Sequence, residues 1–195
     1  LHETPFLGYD ETESTAIVKG IISGEGGKGE DDGQLLSHLH RPADTIVRLV
    51  LNHTPFYGES GGQVGDVGVI TNDDFEFVVT DTQKHAALTV HHGKLVRGEI
   101  TEGAECVATV DIPHRDALAR AHSATHILHH ALHQNVGRHA EQQGSKVEAD
   151  RLRFDFTNPK AIPDETLVQI EKDVLALIDE EQPIRWDTVP LTEAR

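Results

Sequence analysis

Cys106-Val107-Ala108-Thr109-Val110-Asp111-Ile112-Pro113-His114-Arg115-Asp116-Ala117-Leu118 carries two periodicities, one on each side of its proline. Before Pro113, alternation and β-branched residues predict a strand over 106–112. After it, apolar positions 118, 121, 128 and 132 in an Ala/Leu/His-rich run predict an amphipathic helix over 115–135, with Gly137 as its stop. Upstream the chain reads as strands alone. Downstream it mixes helices with strands. The division therefore falls here, giving a β-barrel domain over 1–112 and the N-terminal part of an α+β domain over 113–195.

The barrel reading rests on short strand-like runs at 15–22, 45–51, 67–70, 75–80, 87–91 and 106–112, with no helical pattern between them. His92-Gly93-Lys94 and Glu102-Gly103-Ala104 are predicted turns. Ser23–Gly33, rich in glycine and acids, predicts a flexible loop. The glycines from Gly58 to Gly68 suggest tight barrel turns. A phosphate cradle needs a strand, then glycines, then a helix N-terminus, and here strand-like residues follow instead. In the second part, Arg151–Phe156 alternates as a half-exposed strand. A helix beginning at Pro163-Asp164-Glu165 places Leu167, Ile170, Val174, Leu177 and Ile178 on one face, and 184–189 predicts a final strand.

Thirty-three acids against 17 bases give a formal net charge of -16, which excludes a protein whose whole surface holds nucleic acid. The net charge is -11 over residues 1–110 and -5 over 111–195, so any RNA contact is expected to be local and in the second half; DNA is not an expected partner. One cysteine excludes an internal disulfide framework and any site needing two thiolates, and fits a reducing cytoplasm. Cys106 itself reads as a small buried strand residue. No apolar stretch approaches the ~20 residues that span a bilayer, so no membrane is expected. The chain opens on Leu1-His2-Glu3 without a Met or a leader-like segment, and is expected to be an excised fragment.

Half of the 14 histidines lie between 114 and 139. On a helix, His122, His126, His129 and His133 share a stripe about 60° wide. Two imidazoles four residues apart can supply half of a tetrahedral zinc site. Spacing leaves the pairs 122/126, 126/130 and 129/133 equally open, and partly buried polar side chains beside the leucine face explain the stripe as well. Ser123 and His126 form no triad, because no carboxylate is placed to orient the histidine.

Several phrases occur together. They are Phe6-Leu7-Gly8-Tyr9-Asp10, then Thr54-Pro55-Phe56-Tyr57-Gly58-Glu59-Ser60-Gly61-Gly62-Gln63-Val64-Gly65-Asp66, and Asp81-Thr82-Gln83-Lys84. The 122–126 motif follows, then Gln142-Gln143-Gly144-Ser145 and Leu152-Arg153-Phe154-Asp155-Phe156. In this order the chain resembles the middle of the bacterial alanyl-tRNA synthetase family. Freestanding alanyl-tRNA deacylases share the motifs, and the threonyl-tRNA synthetase editing domain is a more distant relative. The resemblance implies a β-barrel followed by the first part of an editing domain that hydrolyses tRNA(Ala) mischarged with serine or glycine. It implies zinc on His122 and His126, a hydroxyl at Thr125 that helps exclude alanine, Gln142 as a polar residue of the pocket, and Arg153 on the strand bordering it. The implied partners are tRNA(Ala) and the other domains of the same synthetase, in the cytoplasm.

The family completes its zinc site with a downstream Cys-x-x-x-His, which does not occur before Arg195. Its ATP-binding aminoacylation domain would precede this segment. The fragment alone is thus expected to be inactive. The rival expectations are a non-catalytic module that positions tRNA, a fragment of a freestanding deacylase, and a histidine-rich metal-binding protein.

Overall fold

A computed structural model describes residues 2–23, 34–40, 46–184, 189–190 and 192. Of the loop predicted over Ser23–Gly33, Ser23 is strand and residues 24–33 lie outside the described residues, as do residue 45 of the second predicted strand and most of the predicted final strand. The elements are β1 (Glu13–Ser23), β2 (Gln34–Leu36), β3 (His38–His40), β4 (Val47–Leu51), β5 (Gly68–Thr71), β6 (Phe75–His85), β7 (Leu88–Thr101), β8 (Glu105–Val110), α1 (Ile112–Asn135), β9 (Gln142–Val147), β10 (Leu152–Phe156) and α2 (Asp164–Asp179). They divide into two compact units. One comprises 1–122 with 144–155, the other 123–143 with 156–195.

In the first unit, antiparallel pairing runs β1-β4-β7-β6-β5-β8 and returns from β8 to β1, closing a six-stranded barrel. Closure leaves the ring without an open edge. β2 extends β1, and β3 pairs with the far end of β7. The alternation seen in the sequence sends one set of strand side chains inward: Ile21, Leu49, Leu51, Ile70, Phe75, Phe77, Leu95 and Ile100 are fully buried, and Phe56 joins them from the segment after β4. Cys106 joins this core opposite Ala16. Burial pushes its thiol up to about 11, so it is a packed residue rather than a reactive one.

The predicted turn at His92-Gly93-Lys94 is not one. β7 runs unbroken from Leu88 to Thr101, and Gly93 pairs with Val79 of β6. A Cβ on Gly93 would lie 2.0 Å from the Val78 carbonyl oxygen. The glycine therefore marks close approach of two strands beside a register shift, not a change of direction. The strand predicted over 106–112 ends at Val110, and Ile112 already belongs to the helix.

In the second unit, α1 ends at Asn135, before Gly137. The Asn135 side-chain amide donates to Asp173 Oδ2 on α2 (2.7 Å) and to the Ala131 carbonyl. Of the apolar face expected on α2, Ile170 is buried, Val174 and Leu177 are half-buried, and Leu167 and Ile178 are exposed. β9 and β10, which lie mostly in the first unit through residues 144–155, form a separate two-stranded sheet. Its second strand matches the alternation read in Leu152–Phe156. No helix of the described residues is long and apolar enough to cross a membrane.

Candidate functional site

The start of α1 is built by three local devices. Asp111 caps it, its Oδ1 accepting the His114 backbone N–H at 3.0 Å while its carbonyl accepts that of Arg115. Pro113 stands in the first turn, where its missing N–H would have no intrahelical partner. Arg115 then ties the helix to the barrel. Its guanidinium donates to both carboxylate oxygens of Asp66 and to the carbonyls of Gly8 (2.9 Å) and Pro55 (2.7 Å). The Asp66 side chain has no solvent exposure, and it also accepts the Tyr57 backbone N–H.

Seven residues on from Arg115, and hence on the same face of α1, stands His122. Gln63 meets it there. An amide oxygen can only accept, so the His122 Nδ1–H donates to Gln63 Oε1, at 2.7 Å. Gln63 is itself buried, held by a tight turn in which Ser60 and Gln63 exchange backbone hydrogen bonds. That turn lies against β9: the Val64 N–H donates to the Val147 carbonyl and the Val147 N–H to the Gly62 carbonyl. Gly62 has φ +85, and a Cβ there would stand 2.4 Å from the Ser145 carbonyl oxygen, so only glycine allows the contact. The glycine-dense segment is more than a set of barrel turns. No helix follows it, as the sequence indicated, and it carries Asp66 and Gln63 to two points along one helix face.

The entrance to this segment is held by a buried histidine. The Phe56 N–H donates to Thr54 Oγ1 (3.1 Å), whose hydroxyl donates to His91 Nε2 (2.8 Å), and His91 Nδ1–H donates to the Leu49 carbonyl (3.0 Å). This arrangement suits a neutral ring. Burial, partly offset by the Leu49 carbonyl, lowers the His91 pKa to about 4.

His122 closes the first unit; Thr125, His126 and Gln142 belong to the second. Within α1, His122, Thr125 and His126 occupy one turn. Thr125 is buried, and both histidines are exposed. His129 and His133, one turn further on, pack ring against ring at 4.2 Å. Gln142 begins β9 and is exposed. Arg153, in the first unit, is an exposed side chain on β10 whose guanidinium pairs with Asp155 at 2.9 Å. Zinc is suited by imidazole donors such as His122 and His126, but a tetrahedral site wants more of them. Among the described residues no group of three or more His, Cys, Asp or Glu comes together to hold a metal. The two imidazoles fit zinc in kind.

Residues 1–114 match the family model for class II (A) tRNA synthetases. The chain is 72% identical to the alanine–tRNA ligase of Rhodopirellula baltica, over 100% of this chain and 21% of that protein. The chain belongs to the alanine–tRNA ligase family. Against the alanine–tRNA ligase of Chromohalobacter salexigens it is 42% identical, over 99% of this chain and 21% of that protein. For that of Legionella pneumophila the figures are 41%, 91% and 19%. The chain thus spans about a fifth of the length of the alanine–tRNA ligases it matches.

Seen as an alanine–tRNA ligase segment, the chain has structural residues at its site that sequence reasoning passed over: Gln63, Asp66 and Arg115. Asp66 and Gln63 stood inside the phrase that carried the resemblance, yet only the glycines there were weighed. One signal was available. Helix positions 115 and 122 are a heptad apart, so a cation and a histidine were bound to share a face.

Proposed function

We propose that this chain is the barrel and the first part of the editing region of a cytoplasmic alanine–tRNA ligase, and that its helix α1 serves hydrolysis of tRNA(Ala) mischarged with serine or glycine. The whole protein would join alanine to tRNA(Ala) using ATP in a region outside this chain. The observation that carries the editing reading is a single turn of α1 bearing two exposed imidazoles with a buried hydroxyl, Thr125, between them.

In the editing step a water adds to the ester carbonyl carbon, and the carbonyl–ribose oxygen bond breaks. The products are the free amino acid and the tRNA hydroxyl, which takes up a proton. His122 and His126 would hold zinc together with ligands outside the described residues; zinc, when bound, supplies positive charge beside the ester. Thr125 would pair with the serine hydroxyl, which alanine lacks, and a site built to make that bond rejects an analogue unable to make it. Gln142 would contribute a further polar group to the pocket. Arg153, exposed and cationic, suits a phosphate of the tRNA end, with Asp155 holding its guanidinium in place.

Deacylation of Ser-tRNA(Ala) tests this reading, measured for the full-length protein, for His122→Ala and His126→Ala variants of it, and for residues 1–195 alone. Hydrolysis by the full-length protein, lost in both variants and absent from residues 1–195, is the expected result. Undiminished hydrolysis by the two variants would refute it. A second reading, a non-catalytic module that positions tRNA, is favoured by the absence of a three-ligand cluster among the described residues. Under it, tRNA(Ala) binding persists and no protein containing this segment deacylates.

A further inference from the structure

The contact between Gln63 and His122 has a chemical consequence beyond packing. A neutral imidazole has one N–H and one lone pair, and whatever binds the N–H decides where the lone pair points. Gln63 Oε1 accepts from Nδ1 at 2.7 Å, which places the lone pair on Nε2. The acceptor does not drift, because Gln63 is buried, its turn is closed by Ser60, and the turn lies against Val147. The helix does not drift either, since Arg115, on the same face, is bound to Asp66 only three residues after Gln63.

The geometry points to Gln63 as a positioning residue that fixes the tautomer and ring orientation of His122 so that Nε2 is the metal-binding nitrogen. This inference rests on the proposed zinc role of His122 and His126 and adds the partner that orients the first of them. Metal-ligating histidines commonly donate their other N–H to such an acceptor, and loss of that acceptor typically weakens metal binding by about 10–100-fold. The Gly-Gly-Gln phrase acquires a purpose on this account. Gly62 lets the turn press against β9, and that placement delivers the Gln63 side chain to α1.

The test is zinc affinity by chelator competition, with the visible spectrum of the cobalt-substituted protein as a report on ligand geometry, both in the full-length protein. Gln63→Met keeps the volume and removes the acceptor; Gln63→Glu keeps an acceptor oxygen. Gln63→Met is expected to weaken zinc about 10–100-fold and to alter the cobalt spectrum, with melting temperature close to wild type. Gln63→Glu is expected to restore affinity and spectrum. Wild-type zinc affinity in Gln63→Met overturns the positioning role. So does equal loss in Gln63→Met and Gln63→Glu, because a packing defect would not be rescued by a carboxylate. A wild-type protein that holds no zinc overturns the underlying metal reading instead, so the two failures are distinguishable.

Discussion

Replacing Arg115 by Met should destabilise residues 1–195 far more than loss of a surface ion pair would. The arginine is the cation that faces Asp66, whose carboxylate has no solvent exposure. It also supplies hydrogen bonds to the carbonyls of Gly8 and Pro55. With arginine gone, Asp66 keeps the Tyr57 N–H and remains a buried charge without its counter-ion. Breaking a buried pair in this way costs about 3–5 kcal/mol, whereas exposed pairs are worth about 0–1 kcal/mol. The diagnostic is the double variant. Asp66→Asn removes the charge but keeps an oxygen for the Tyr57 N–H, so Arg115→Met combined with Asp66→Asn should recover about 2 kcal/mol relative to Arg115→Met alone. Urea denaturation followed by far-UV circular dichroism measures all four proteins of the cycle. An Arg115→Met cost below about 1 kcal/mol, or a double variant worse than either single one, would refute the argument that Asp66 depends on Arg115 as its buried counter-ion.

The remaining predictions concern other groups. Burial lowers the His91 pKa from the ordinary 6.5 to about 4 in the folded protein. The unfolded chain therefore takes up the proton first as pH falls: stability is full above pH 6.5 and declines by about 3 kcal/mol towards pH 4. His91→Gln should flatten that part of a pH series of urea midpoints, and an unchanged slope would exclude His91 as its source. Cys106, pushed up to about 11 from 9.0, should react with a thiol reagent at pH 8 at least about a hundredfold more slowly in native than in unfolded protein. Labelling at equal rates in the two states would contradict its burial. Thr125→Val in the full-length protein should cut serine-over-alanine selectivity in deacylation by about tenfold or more. Unchanged rates for Ser- and Ala-charged tRNA would remove Thr125 from the specificity reading.

The barrel was legible because burial of one face writes itself as alternation and β-branched runs, and all six strands of the closed ring overlap runs picked out in the sequence. Pro113 and the apolar positions 118, 121, 128 and 132 likewise announced α1 locally, whereas its Asp111 cap was found only in the structure. Gly93 misled because the same residue type serves turns and close strand contacts, and only the neighbouring strand distinguishes them. β9 was missed as a strand because Gln142-Gln143-Gly144-Ser145-Lys146 carries neither alternation nor β-branched residues. Its pairing comes from β10 and the 60–63 turn rather than from its own propensity.

For the site, the sequence by itself determined which side chains share a helix turn: His122, Thr125 and His126 follow from 3.6 residues per turn, and the surrounding phrases attach them to a family. What helical spacing left open was the choice among histidine pairs, for which the resemblance implies 122/126, and the orientation of the His122 ring. Tertiary structure decided the second. Gln63 stands 59 residues before His122, and no local rule relates two positions so far apart. A turn closed by Ser60, a glycine pressed against β9 and a buried Asp66–Arg115 pair bring them within hydrogen-bonding distance. Helical periodicity acts over a few residues and can be read from them. The orientation of an imidazole depends on an acceptor that folding of the barrel carries to it.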